Sequence, residues 1–460
     1  MTLDVYQLLG RELGPSRVIR DEERLERFLI DESGLGRYPA ECAVLVESRA
    51  EVELVLRLAR EHRLPVTPRG AGSGMTGGAL PVRGGIVLST ERMTAIREID
   101  EDDLLAVVEP GVITGDLIAA VEARGLFYPP DPASLASCSL GGNVAENAGG
   151  PRAFRYGVTR EYVLGLETVL MGGETVRMGR RTPKGVTGYD TVAAIVGSEG
   201  TFAVATEITL KLLPKPPAVA TLLAAFPDAL AAGRAVGGII KAGERPRALE
   251  LLDRATIDHL RGRAPYRFPE GAGAALIVEL DGAPEGLEAQ LLRCAAACEA
   301  AGACELLVAS DEQQRRDLWE TRRRANPTLK MLHRRKIPED VVVPRSAIPE
   351  MLRRVDAIAA AERVQCATYG HAGDGNLHIN LLVDDEPGDV ARDQAIERAK
   401  DGIIRATLDL RGTLAGEHGV GLLKQKYVPW EQAPPLLALQ RRMKRAFDPD
   451  DLLNPGKIFP

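Results

Sequence analysis

Twenty-three of the 47 glycines in this 460-residue chain fall within residues 69–200. Seven more lie in residues 370–375 and 412–421. Glycine lets a backbone turn tightly and lets its N–H groups approach a ligand with no Cβ in the way. The first stretch therefore reads as short strands joined by glycine-rich turns: GGIVLS, LLAVVEPG, LGLETVLMGG, ETVRMG and FAVATEITLKLLP are its clearest strands. Its opening loop is PVTPRGAGSGMTGGAL. No GK[ST] closes that loop, so it is not a Walker A motif. GGALPVRGG follows where a helix would have to begin, so it is not a dinucleotide fingerprint either.

Organisation changes on both sides of this stretch. Residues 1–65 read as mostly helical, with LERFLIDESG and AEVELVLRLAREH as helices and CAVLVES as a strand. Lys211–Pro217, KLLPKPP, is extended and proline-rich and marks a domain boundary. Beyond it strands (TLLAAFPD, RALELLD, AALIVELDG, CELLVAS, EDVVVP, LHINLLVD) alternate with alanine-rich helices, the pattern of an α+β layer with an antiparallel sheet. The expected domains are 1–215, 216–425 and a C-terminal tail, 426–460.

Bulk properties exclude several classes. The formal net charge is -7, against the broad basic face that nucleic acid requires. No apolar run approaches the ~18 residues of a membrane span, and no signal-peptide region opens the chain. The six cysteines form no CxxC pair, which fits a reducing cytoplasm with at most peripheral membrane contact. Cys294 and Cys298 read as small core residues.

Three of only six histidines cluster in YGHAGDGNLHINLL and GEHGVG. Asp374-Gly375 is a two-residue hairpin signal. With that pair as the turn, His371 would face His378 directly, with Cβ atoms ~4.5–5.5 Å apart, close enough for two imidazoles to share one metal ion. Tyr369 and Asn380 would lie on the same face. Glu417 and His418, between Gly416 and Gly419, point different ways, which suits one metal ligand and one separate base. On spacing alone such histidines are more often structural than ligating. Their clustering and their glycine neighbours argue the other way.

Two further glycine clusters follow the first loop in order: YPPDPAS (128–134) with SLGGNVAENAGGPRAFRYGVTREYVLGLE (139–167), and GYDTVAAIVGSEGTFAVATEITLKLLP (188–214). Together the three resemble the FAD-binding domain of the vanillyl-alcohol-oxidase/PCMH flavoprotein superfamily. With GHAGDGNLHIN and GEHGVGLLKQKY added, the chain from about residue 41 to residue 459 resembles the FAD-linked D-2-hydroxyacid dehydrogenases. These include the glycolate oxidase flavin subunit, D-lactate dehydrogenase and D-2-hydroxyglutarate dehydrogenase. The fold implied is α+β, a two-part PCMH-type FAD-binding domain with a ferredoxin-like antiparallel cap.

The resemblance also implies roles. Arg69, Gly70, Ala71, Gly72, Ser73 and Gly74 would form the pyrophosphate loop. Asp131, Pro132, Ser134, Gly141, Gly142 and Asn143 would line the flavin. Gly149, Gly150, Tyr156 and Gly157 would shape its wall. Gly197, Glu199 and Gly200 would complete it, with Asn454 in a tail, LNPGK, that returns to this domain. No histidine or cysteine stands at a linkage position, so the FAD is expected to be non-covalent. His371, His378 and Glu417 would bind a divalent metal, zinc first, with manganese and iron as alternatives. His418 would be the base, Arg322 and Lys336 the carboxylate anchors, and Asn380 a further site residue. The activity implied is oxidation of a small D-2-hydroxy acid to its 2-oxo acid. Electrons would pass to a quinone, cytochrome, electron-transfer flavoprotein or iron–sulfur subunit, and homodimer and hetero-complex both stay open. Two alternatives are a flavin electron-transfer subunit within a complex and another flavin reaction on the same scaffold.

Overall fold

The computed structural model describes residues 5–385 and 388–460. Its chain forms two compact units. The first comprises Met1–Gly149, Gly157–Lys215 and Glu417–Pro460; the second comprises Gly150–Tyr156 and Pro216–Gly416.

The first unit carries a four-stranded sheet of β1 (Val18–Ile19), β2 (Cys42–Leu45), β3 (Val66–Arg69) and β4 (Ile86–Ser89), in the order β1-β2-β4-β3. β4 runs parallel to both β2 and β3. The helix Arg49–Glu61 makes the connection from β2 to β3. Ser48 caps it by accepting from Glu51 N, and Val52, Val55, Leu56 and Ala59 form its buried stripe. A five-stranded antiparallel sheet follows: β5 (Ile96–Asp100), β6 (Leu105–Val108), β8 (Val163–Val169), β9 (Thr175–Gly179) and β10 (Val204–Lys211), ordered β5-β6-β10-β8-β9. The short β7 (Leu126–Phe127) and β11 (Leu213–Pro214) pair with each other. Leu452 and Leu453 of the C-terminal tail belong to this unit's core, and Leu452 O accepts from Val66 N.

One expected helix is cut short. LERFLIDESG holds only the end of the helix Glu22–Leu25 and a single 3-10 turn, Glu26–Phe28. The Arg69 guanidinium takes the carbonyls of Arg27 and Ile30, each at 2.9 Å, and Asp31 turns the chain by accepting from Ser33 N. A short side chain that bonds its own backbone competes with a helix in this way.

The second unit is built on a seven-stranded sheet: β12 (Ala218–Phe226), β13 (Ala248–Asp253), β14 (Ala274–Gly282), β15 (Glu305–Val308), β16 (Arg335–Val342), β17 (Gln365–His371) and β18 (Asn376–Val383). Its order is β15-β12-β14-β13-β17-β18-β16, and every pairing is antiparallel. The central strands are buried along their length, so they read as nearly continuous apolar runs. Cys294 and Cys298 are fully buried. Among the described residues no helix is long and apolar enough to cross a membrane.

Candidate functional site

In the first unit the glycine loops converge by steric necessity. A Cβ at Gly70 would lie 2.3 Å from Ser139 Oγ, and one at Gly141 would lie 2.7 Å from the Pro110 side chain. Gly72 has φ +73°, a conformation that glycine adopts without strain. Ser139 caps the short helix Leu140–Glu146, accepting from Gly142 N. Asn143 is buried and donates to Thr114 Oγ1 at 2.7 Å, so its amide braces the loop from behind. Pro132 and Ser134 belong to a turn closed by Leu135 N on Pro132 O, next to Asp131. Ala71 is exposed, whereas Gly72, Ser73 and Gly74 are half-buried. The Arg69 guanidinium gives two of its N–H groups to the Arg27 and Ile30 carbonyls.

Asn454 ties the first loop to the third. Its Nδ2 donates to Gly78 O at 3.0 Å and to Glu199 O at 2.8 Å. Glu199 lies between Gly197 and Gly200 and has φ +52°. Its carboxylate accepts from Val420 N at 2.8 Å and Gly421 N at 2.7 Å, holding the loop that follows His418. Burial raises Glu199 above the usual carboxylate range, although those two N–H groups oppose the shift. Burial, then the Glu199 and Asp31 carboxylates, push Glu146 well above that range. Glu146 Oε2 is buried with no hydrogen-bond partner among the described residues. Such an orphaned polar atom is costly unless a ligand satisfies it. Loops that exclude a Cβ at Gly70, Gly72 and Gly141, together with one unanswered carboxyl oxygen, fit a polar cofactor such as FAD.

The same unit carries Glu417 and His418. A Cβ at Gly149 would lie 2.9 Å from Glu417 Oε2, so glycine there leaves the carboxylate its room. Thr76 Oγ1 donates to His418 O at 3.0 Å, and His418 Nε2 lies 4.0 Å from Glu417 Oε1. Gly157 (φ +82°) belongs to this unit too. Gly150 and Tyr156 belong to the second unit, where the Tyr156 hydroxyl donates to Asp281 Oδ2 at 2.8 Å.

The second unit gathers its polar side chains on one face of the sheet. The hairpin expectation is corrected here. Asp374-Gly375 is not a two-residue turn between directly facing histidines. His371 pairs with Asn376, and His378 pairs with Tyr369. The loop is four residues long, so the register slips by two. A slip of one would have sent one histidine to the opposite face, but a slip of two preserves the face. The two imidazoles therefore still meet, as diagonal rather than direct neighbours, with Nε2 atoms 3.5 Å apart and ring planes at 90°.

Two acids missed by sequence reasoning flank the pair. Glu250 on β13 pairs with His371, and Asp340 on β16 pairs with His378. Glu250 is fully buried; its Oε1 lies 2.6 Å from His371 Nδ1, and its Oε2 accepts from Arg322 Nε at 2.8 Å. Burial alone would raise Glu250, but His371 and Arg322 outweigh it and hold the carboxyl below its usual range. An ionised carboxylate only accepts, so His371 Nδ1 carries a proton. Asp340 Oδ1 lies 3.6 Å from His378 Nδ1, and Oδ2 accepts from Gly416 N, the residue before Glu417. The signals were present: a lone glutamate inside RALELLD, and acids opening the apolar run EDVVVP.

Arg322, in the last turn of the helix Glu312–Arg323, also stacks 4.6 Å over the Tyr369 ring. Lys336 Nζ donates to Asn380 Oδ1 at 2.8 Å, and burial pushes its pKa down to about 8. Asn380 is fully buried and donates to Ala367 O and His378 O. It holds Lys336 and the strand in place and offers no free donor of its own.

A flavin cradle in one unit and a histidine–carboxylate face on the sheet of the other define an FAD-linked oxidoreductase. The chain belongs to the FAD-linked oxidases: their C-terminal domain model matches residues 215–458, and the FAD binding domain model matches residues 40–179. It is 40% identical to "Glycolate oxidase subunit GlcD" of Bacillus subtilis (strain 168), over 100% of this chain and 97% of the relative. It is 34% identical to a "D-lactate dehydrogenase" of Anaerostipes hadrus, over 97% of this chain and 96% of that one. Among solved structures, p-cresol methylhydroxylase with substrate bound shares the fold at a TM-score of 0.81 and 18% identity, over 98% of this chain and 96% of the other.

Proposed function

We propose that this protein oxidises a small D-2-hydroxy acid, of the glycolate, D-lactate or D-2-hydroxyglutarate class, to the 2-oxo acid. The observation that carries the reading is the His371–His378 pair, with one ring locked by Glu250 beside Arg322. Two Nε2 atoms 3.5 Å apart are close to the ~3.3 Å expected of two nitrogens ~2.0–2.1 Å from one tetrahedral ion. His371 and His378 would hold such an ion, zinc, manganese or iron, with Glu417 as the third ligand. A bound divalent cation lowers a hydroxyl pKa and stabilises a developing alkoxide, and FAD, held without a covalent link, accepts a hydride.

This chain's residues supply binding and proton handling. The Arg322 guanidinium and the Lys336 ammonium would hold the substrate carboxylate, fixing which face of C2 is presented. Glu250 orients both Arg322 and His371, so one buried carboxylate sets anchor and ligand together. An imidazole nitrogen of His418 would take the hydroxyl proton, a role suited to a group with an ordinary pKa near ~6.5. Electrons would then leave to a non-nicotinamide acceptor, in a second subunit or a membrane quinone pool; that one relative bears the name of a subunit supports a partner.

Anaerobic addition of glycolate, D-lactate or D-2-hydroxyglutarate to the FAD-loaded protein tests the reading. Bleaching of the oxidised flavin band by at least one of them is the expected result. An unbleached flavin with all three would favour an electron-transfer subunit without substrate chemistry of its own.

A further inference from the structure

Two of the remaining histidines meet elsewhere in the second unit. His259 lies on the helix Arg254–Leu260, and His333 caps the C-terminus of the helix Ala325–Leu332. Their Nε2 atoms are 2.9 Å apart, with ring centroids 5.0 Å apart. His259 Nδ1 lies 2.6 Å from Ala255 O, and a carbonyl only accepts, so that nitrogen carries a proton. His333 Nδ1 lies 3.0 and 3.1 Å from the two oxygens of Asp384. The hydrogen bond from His333 holds Asp384 below its usual range. Asp384 is therefore an anion that accepts, and His333 Nδ1 also carries a proton. With both rings neutral, each would be left with a lone pair on Nε2, and the two lone pairs would face each other. At 2.9 Å they repel unless a cation lies between them.

We propose that His259 and His333 form a second metal site, taking a divalent transition-metal ion that prefers nitrogen donors, such as zinc, nickel or copper. Histidines that ligate metals characteristically give their other N–H to a carbonyl or carboxylate, and both rings do so here. The His333 side chain is nearly buried, and His259 is partly exposed. Widening the pair from 2.9 Å to the ~3.3 Å of a tetrahedral site needs a shift of a few tenths of an ångström. Without metal, a proton shared between the rings occupies the same place. An ion there would brace the helix that follows β13 against the turn that opens β16, the strand bearing Lys336 and Asp340.

The test is a zinc titration of the FAD-loaded, chelator-stripped protein, with bound metal counted per chain. His333→Asn should lower the count by one relative to the unaltered protein. His371→Asn should leave the His259–His333 ion in place, which separates failure of this inference from failure of the proposed function. Asp384→Asn alters an exposed carboxylate and spares the fold; it should weaken the same site ~10–100-fold. An unchanged zinc count in His333→Asn, or unchanged affinity in Asp384→Asn, would show that the pair shares only a proton and overturn the proposal.

Discussion

The two histidine pairs use the same side chains to different ends. In the pair on β17 and β18 the Nε2 atoms stand 3.5 Å apart, both rings are buried, and the outer partner, Glu250, is wholly inaccessible to solvent. In the pair between His259 and His333 the separation is 2.9 Å, the His333 side chain is about as buried as that of His371, and the outer partner, Asp384, is exposed. Strands hold the first pair rigidly, at a spacing already close to a metal ion's demand. Helix ends hold the second, at a spacing suited to a shared proton and open to adjustment. The two pairs differ most in spacing and in the exposure of the carboxylate behind them.

The largest effects should come from the first pair. His371→Ala combined with His378→Ala should abolish turnover while the flavin spectrum persists, measured by steady-state assay and absorbance. The corresponding double change at His259 and His333 should leave substrate-dependent flavin reduction measurable, and equal loss of turnover would contradict different roles for the two pairs. His418→Ala should slow flavin reduction by ~10²–10⁴-fold with FAD still bound, and near-normal reduction in stopped flow would remove it as the base.

Glu250 comes next. Glu250→Ala strips a buried ion pair of its anion and leaves Arg322 and His371 unbalanced, a loss of about 3–5 kcal/mol that thermal unfolding would register. Asp384→Ala at the exposed pair should cost under about 1 kcal/mol. The pH dependence follows from direction. Because Glu250 titrates lower when folded than when unfolded, its stabilising contribution is present above about 4.5, its ordinary value, and is lost as pH falls below that. Acid unfolding that starts at the same pH in Glu250→Gln as in the unaltered protein would contradict this.

The smallest effect concerns Lys336. Burial lowers its pKa to about 8, so its charge fades above that pH, and KM for the hydroxy acid should rise there. The sign for folding is the reverse: the unfolded chain binds the extra proton between about 8 and 10.5, so this group favours folding as pH rises through that window. A KM flat between pH 7 and 9.5 would remove Lys336 from substrate binding.

Much of this was legible in the chain. Glycine clusters, the proline-rich break near Lys215 and the scarcity of histidine pointed to the FAD fold and to His371 and His378. What the sequence could not carry was register. Asp374-Gly375 looked like a tight turn, yet a four-residue loop forms, and only the two-residue periodicity of a strand kept the histidines together. Glu250 stayed invisible for a related reason: its partners lie 121 and 72 residues away in sequence, His371 brought to it by strand pairing and Arg322 by a helix packed on the sheet. Likewise the arginine expected at the pyrophosphate loop serves the backbone of residues 27–30, a contact that no local pattern announces.

The most direct test of the account is anaerobic flavin reduction by D-lactate or glycolate, followed before and after the protein is stripped of metal and again after zinc or manganese is restored. The account predicts that bleaching stops on stripping, with FAD retained, and returns with the ion. Reduction at the full rate in a preparation shown to be metal-free would contradict it.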